Sequence, residues 1–126
     1  MLQDSKAFSG FSVDDIPRAK EFYTKTLGLD VGEEHGMLRV RTGSGNTVLV
    51  YPKDNHVPAE FTVLNFPVAD IEETARELTA RGVTFERYND GHDELGIYRG
   101  HGPSIAWFKD PAGNVLSLIQ DAGTGS

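Results

Sequence analysis

The chain repeats itself, and the repeat narrows the folds open to it. Phe11-Ser12-Val13-Asp14-Asp15-Ile16 reads F-x-V-x-D-I, and so does Phe66-Pro67-Val68-Ala69-Asp70-Ile71. A helical pattern follows each copy. The first carries Ile16, Ala19, Phe22, Tyr23 and Leu27, the second Ile71, Ala75 and Leu78. Steps of three and four residues place one apolar stripe on each helix. Asp15 and Asp70 are natural N-caps, because a short carboxylate accepts from the free N–H groups of the first turn. Gly28 and Gly82 suit the position just past a helix end. A second echo closes each half. Gly45-Asn46-Thr47-Val48-Leu49-Val50 matches Gly113-Asn114-Val115-Leu116-Ser117-Leu118, each a turn running into an apolar strand. Two more strands fit between helix and last strand, at 30–35 and 37–41 in the first half and at 83–87 and 104–109 in the second. The order is β-α-β-β-β, twice.

A chain of 126 residues is expected to form one domain. That domain is expected over 1–121, with module one at about 6–52 and module two at about 60–120. Residues 122–126 read as a flexible tail. There is no cysteine, which removes disulfides, thiolate nucleophiles and Cys-type zinc sites. Net charge is −7 with no Lys/Arg run, so no nucleic-acid partner is expected. Met1 to Lys6 has no apolar leader, and no stretch approaches the about 18 apolar residues that span a bilayer. The expected location is the cytoplasm, with no membrane partner.

The expected fold class is α+β: two β-α-β-β-β modules related by pseudo-two-fold symmetry, a curled mixed sheet forming a cup, and helices outside. Period-two alternation sorts the strand residues. Phe11 and Val13 share one face of the first strand, opposite Phe8, Gly10 and Ser12. Leu64, Phe66 and Val68 share a face of the matching strand, opposite Val63, Asn65 and Pro67. The large apolar sets suit the helix side, which leaves Phe8, Val63 and Asn65 for the cup.

These residues carry a family resemblance. The passage Phe11 to Leu29, with Ala19-Lys20-Glu21-Phe22-Tyr23 and Leu27-Gly28-Leu29, is similar to the first module of the vicinal-oxygen-chelate superfamily. That superfamily includes glyoxalases, bleomycin-resistance proteins and extradiol dioxygenases. Trp107-Phe108-Lys109-Asp110-Pro111-Ala112-Gly113-Asn114 is similar to its closing turn and last strand. The resemblance spans roughly residues 6–120. It implies metal ligands, usually His, Gln or Glu, at four equivalent positions. Here those positions fall on Phe8, Leu49, Val63 and Ser117. Phe, Leu and Val offer no donor and one Ser hydroxyl is a poor ligand. The chain therefore resembles a member lacking the usual metal ligands, with no metal and no cofactor expected. Metal-dependent glyoxalase or dioxygenase activity is disfavoured. The family commonly dimerises, so a homodimer is expected.

Other residues leave two readings open. His35 and His56 read as surface groups. The glycine-rich connection 89–102 holds Asp90, His92, Asp93, Glu94 and His101. It reads as a solvated loop, or as a lid or unorthodox metal site, and His92 or His101 could serve as an acid–base group. Met37, Arg39 and Arg41 alternate onto one face. Arg39 either sits in water on an edge strand or faces the cup and holds an anion. Trp107 and Tyr51 read as wall residues or as core. No glycine loop opens a helix to cradle phosphate.

The expected pocket is thus Phe8, Arg39, Leu49, Tyr51, Val63, Asn65, Trp107 and Ser117. Its expected partner is a small, largely apolar or aromatic molecule, held in drug or metabolite sequestration. The alternative is a small-molecule enzyme, an isomerase, lyase or dioxygenase-like protein acting without metal or with relocated ligands.

Overall fold

The computed structural model describes residues 1–100 and 102–121. His101 and the expected tail at 122–126 lie outside the described residues. The chain forms two compact units, one from Met1 to Val57 and one from Pro58 onward. Each has its own sheet, and the class is α+β.

In module one, strand β1 (Ser9–Val13) leads into helix α1 (Ile16–Glu21), which continues as a π-helical turn over Phe22–Thr26. Strands β2 (Asp30–Glu34), β3 (Met37–Arg41) and β4 (Thr47–Pro52) follow. The sheet order is β1-β4-β3-β2, with β1 and β4 parallel and the others antiparallel. Asp15 caps the helix by accepting from the Arg18 N–H at 3.1 Å. The π turn, in which the Leu27 N–H reaches the Phe22 carbonyl at 3.0 Å, widens the last turn. Tyr23 is buried in the core, 5.2 Å from the Phe22 ring and 6.2 Å from Phe11. Phe11, Val13, Leu38, Val40, Val48 and Val50 are the buried face of the sheet, as alternation requires. The β2–β3 link is the two-residue turn His35-Gly36, with φ of 54° and 76°. Two successive left-handed residues define the type I′ turn that matches strand twist.

In module two, β5 (Thr62–Pro67) leads into α2 (Ile71–Ala80), capped by Asp70, which accepts from the Glu73 N–H at 3.0 Å. Then come β6 (Phe85–Glu86), β7 (Tyr98–Arg99), β8 (Ser104–Lys109) and β9 (Val115–Gln120). The order is β5-β9-β8-β6, and β7 also pairs with β8. Ile71, Ala75 and Leu78 are the buried stripe of α2, as their spacing predicts. They lie against the sheet face that holds Leu116, Leu118, Ala106 and Phe108, all buried.

Two features differ from the sequence reading. The expected strand at 83–87 is only two residues long, and β7 is an added strand within the connection 89–102. Strict alternation also breaks in β5. The register shifts between Thr62 and Leu64, with Val63 at the shift, so Asn65 is the residue that faces Ser117.

Candidate functional site

Sheet register assembles one row of side chains on the face of module two turned away from α2. Asn65 on β5 pairs with Ser117 on β9, Ser117 with Trp107 on β8, and Trp107 with Glu86 on β6. Residues directly opposite in adjacent strands project to the same side. Ser117 is fully buried, and its hydroxyl donates to the Asn65 Oδ1 at 2.5 Å. Glu86 holds Lys109 at 3.4 Å. Tyr98 on β7 pairs with Ile105, which lies on the same side of β8 as Trp107.

Trp107 is the centre of an aromatic cluster. Its ring centroid lies 5.5 Å from Tyr88, 5.9 Å from His92 and 6.3 Å from Tyr98. The interplanar angles are 68°, 63° and 44°, so each ring is inclined to the indole. Such pairs are worth about 0.5–1.5 kcal/mol beyond their buried area. Tyr88 is exposed overall, but partial desolvation of its phenol, with the Glu86 carboxylate adding to it, raises its pKa above the ordinary value, while Lys109 partly opposes the rise.

The loop that supplies Tyr88, His92 and Tyr98 is ordered by specific bonds. His92 bridges to Tyr98 as an isolated β-bridge. The Tyr88 N–H donates to His92 Nε2 at 3.2 Å, and His92 Nδ1 donates to the Gly96 carbonyl at 2.9 Å. The ring therefore carries its proton on Nδ1, with both nitrogens committed to main chain. Asp93 builds the turn: its Oδ1 accepts from the Leu95 and Ile97 N–H groups, both at 2.9 Å. Ile97 is 0% exposed, which anchors the loop in the core. Gly96 has φ +93, and a Cβ there would come within 2.6 Å of the Phe85 Cβ. Only glycine fits both the left-handed backbone and that approach.

The same turn recurs in the closing motif. The Asp110 N–H reaches the Asn114 carbonyl and the Gly113 N–H returns to the Asp110 carbonyl, both at 3.0 Å. Asp110 Oδ1 accepts from the Ala112 and Asn114 N–H groups, at 3.0 and 2.8 Å. Thr42 to Asn46 in module one has the same backbone bonds, but there the Thr42 hydroxyl donates to the Asn46 carbonyl at 3.1 Å instead of accepting from N–H groups. The aspartate-to-glycine spacing shared by 93–96 and 110–113 was the readable sign that the loop is built rather than solvated.

Module one presents a more polar face. Leu49 on β4 pairs with Gly10 on β1 and with Arg39 on β3, so Arg39 does share the face of Leu49. Its Nε is 3.0 Å from the Glu34 carboxylate, so its charge is matched in the free protein, contrary to an arginine waiting for an anion. Tyr51 pairs with Ser12 on the same face. Phe8 lies just before β1 and is 65% exposed. His56 is half-buried rather than on the surface, and its Nδ1 shares a 2.7 Å hydrogen bond with the Ser12 hydroxyl.

The four positions that hold metal in relatives do not fit a divalent ion. Phe8, Leu49 and Val63 carry no donor atom, and the single Ser117 hydroxyl is a poor ligand for a divalent ion. Among the described residues, no group of three or more His, Asp or Glu is placed to hold a metal, and His101 lies outside them. A polar groove of about 390 Å³ lies elsewhere, at the start of α2, lined by Asp70, Glu72, Arg99, Ser104 and Gln120. Its sheet residues Arg99, Ser104 and Gln120 form a row on the opposite face from Trp107.

The sequence profile of the Glyoxalase/Bleomycin resistance protein/Dioxygenase superfamily matches residues 8–118. The chain belongs to this superfamily. It is a member without the usual metal ligands. Solved structures share its fold. One is a superfamily member from Sphaerobacter thermophilus, 24% identical over 95% of this chain and 99% of that one, with a TM-score of 0.75. Another is an antibiotic-binding protein from Streptomyces sp. CB03234, 22% identical over 97% and 99%, with a TM-score of 0.73. A third is a lactoylglutathione lyase from Agrobacterium tumefaciens, 17% identical over 95% and 96%, with a TM-score of 0.69. No curated protein sequence matches the chain. No helix among the described residues is long and apolar enough to cross a membrane.

Proposed function

We propose that the protein binds a small, largely apolar or aromatic molecule without a metal ion, and so sequesters a drug or metabolite. The observation that carries this reading is Trp107 with three aromatic neighbours on a face of module two where the ligand-position residue Ser117 offers only a hydroxyl. A metal-using relative gains affinity through oxygen–metal bonds. Here affinity would come from apolar area, at roughly 25 cal/mol per Å², and a few directed hydrogen bonds. The proposed contact residues are Phe8, Arg39, Leu49 and Tyr51 in module one, and Val63, Asn65, Trp107 and Ser117 in module two. The likeness to an antibiotic-binding protein supports sequestration. The working unit on this reading is one functional domain over 1–121, acting as a cytoplasmic homodimer, which light scattering after gel filtration would test.

A thermal-shift panel run in chelator tests the reading, because any ligand of the native state raises the melting temperature by mass action. Stabilisation by neutral polycyclic aromatics is expected. Stabilisation by divalent ions alone would overturn it.

One observation favours an enzyme instead. The Ser12 hydroxyl and the His56 imidazole, 2.7 Å apart, have the spacing of a hydroxyl and a general base. Time-dependent acylation of Ser12 by an activated ester, abolished in His56→Gln, would support that second reading.

A further inference from the structure

The two modules share one plan and diverge sharply at one link. In module one, β2 and β3 are joined by His35-Gly36. In module two the corresponding pair, β6 and β8, is joined by residues 87–103. Three of the four rings in the aromatic cluster, Tyr88, His92 and Tyr98, come from this one connection.

The geometry points to the connection 87–100 as the recognition element of the proposed site, with a flat, neutral aromatic ring system as its ligand and Asp93 as its positioning residue. The inference rests on the binding reading above and assigns it to particular groups. His92 has both nitrogens engaged by the Tyr88 N–H and the Gly96 carbonyl, so it has no lone pair for a metal and no free proton acceptor. What it still offers is a ring. Tyr88, Tyr98 and Trp107 offer rings as well, at angles that let an incoming ring lie on one face and meet another edge. Charge beside the indole is matched, since Lys109 and Glu86 pair at 3.4 Å. The net charge of −7 disfavours anions.

Rigidity is the second part of the inference. Asp93 Oδ1 ties down Leu95 and Ile97. Arg87 donates to the Asp93 and Glu94 carbonyls. Arg99 joins the Asp93 carboxylate at 3.4 Å to Glu72 of α2 at 3.2 Å. A loop held this way presents its rings without paying to order them on binding. The ion pairs are about half exposed and contribute little on their own. The main-chain bonds to Oδ1 are what hold the turn.

The test uses the full chain and the neutral fluorescent probe N-phenyl-1-naphthylamine, in chelator. Trp107 is the only tryptophan, so quenching of its emission by the probe reports the site directly. Wild type is expected to bind the probe. Asp93→Ala should weaken binding roughly tenfold or more and red-shift Trp107 emission. Asp93→Asn keeps an Oδ1 acceptor and should recover most of the loss. Tyr98→Leu, which leaves the Asp93 turn intact, should also weaken binding. Wild-type affinity in both Asp93→Ala and Tyr98→Leu would overturn the assignment of the loop while leaving the binding reading in place. No binding to wild type would overturn both.

Discussion

Ser117 and Asn65 face each other across β9 and β5, and the Ser117 hydroxyl donates to the Asn65 carboxamide oxygen at 2.5 Å. By the family resemblance Ser117 falls at a metal-ligand position, and a lone hydroxyl is a poor ligand for a divalent ion. Divalent manganese, nickel or zinc at stoichiometric concentration should therefore leave the melting temperature unchanged. A rise of several degrees that chelator reverses would contradict this.

The buried closing turn sets a stability scale. Asp110 is 4% exposed and accepts from the Ala112 and Asn114 N–H groups and from Asn114 Nδ2. Asp110→Ala strands those donors and should cost about 2–4 kcal/mol in urea unfolding. Asp93→Ala, in the more exposed copy of the turn, should cost less. The reverse order would mean that the two turns are not held alike.

Gly96 and Gly32 form a matched pair for testing the loop backbone. Gly96→Ala meets the Phe85 Cβ at 2.6 Å from a backbone of φ +93, and should destabilise by about 2 kcal/mol or more. A Cβ at Gly32 meets nothing within 4 Å, so Gly32→Ala should stay within about 0.5 kcal/mol of wild type. Equal unfolding midpoints for the two variants would count against the packing of Gly96 on Phe85.

Tyr88 provides a pH test. Desolvation, reinforced by Glu86, raises its pKa above 10.0 in the fold. The folded state then holds this proton more tightly than the unfolded chain does. Its contribution to stability is intact below pH 10.0 and is lost as pH rises through the folded value. Ultraviolet phenolate titration of wild type against Tyr88→Phe should show the substitution removing a late-titrating group. Loss of an early-titrating group instead would contradict the raised value of this phenol.

The modular fold was legible because its signals are local and doubled. Asp15 and Asp70 cap their helices, and Ile71, Ala75 and Leu78 are buried, as spacing alone predicts. Alternation sorted Phe11 and Val13 onto the buried side, but left open which face Arg39 takes, a choice that only the pairing of Arg39 with Leu49 makes. It gave no sign of the register shift at Val63, because a bulge in β5 obeys the partner strand rather than the sequence period. The pairing of Arg39 with Glu34 was invisible because it depends on side-chain reach across a hairpin. The loop was the largest omission. Its polar, glycine-rich composition hides three aromatic groups whose convergence on Trp107 depends on the Asp93 turn and on burial of Ile97.

Calorimetric titration of metal-stripped protein with N-phenyl-1-naphthylamine, comparing wild type with Trp107→Leu, tests metal-free aromatic binding most directly. The expected result is saturable binding in chelator, weakened about tenfold or more by the substitution. Binding that appears only when a divalent ion is restored, or that is equally tight in Trp107→Leu, would contradict it.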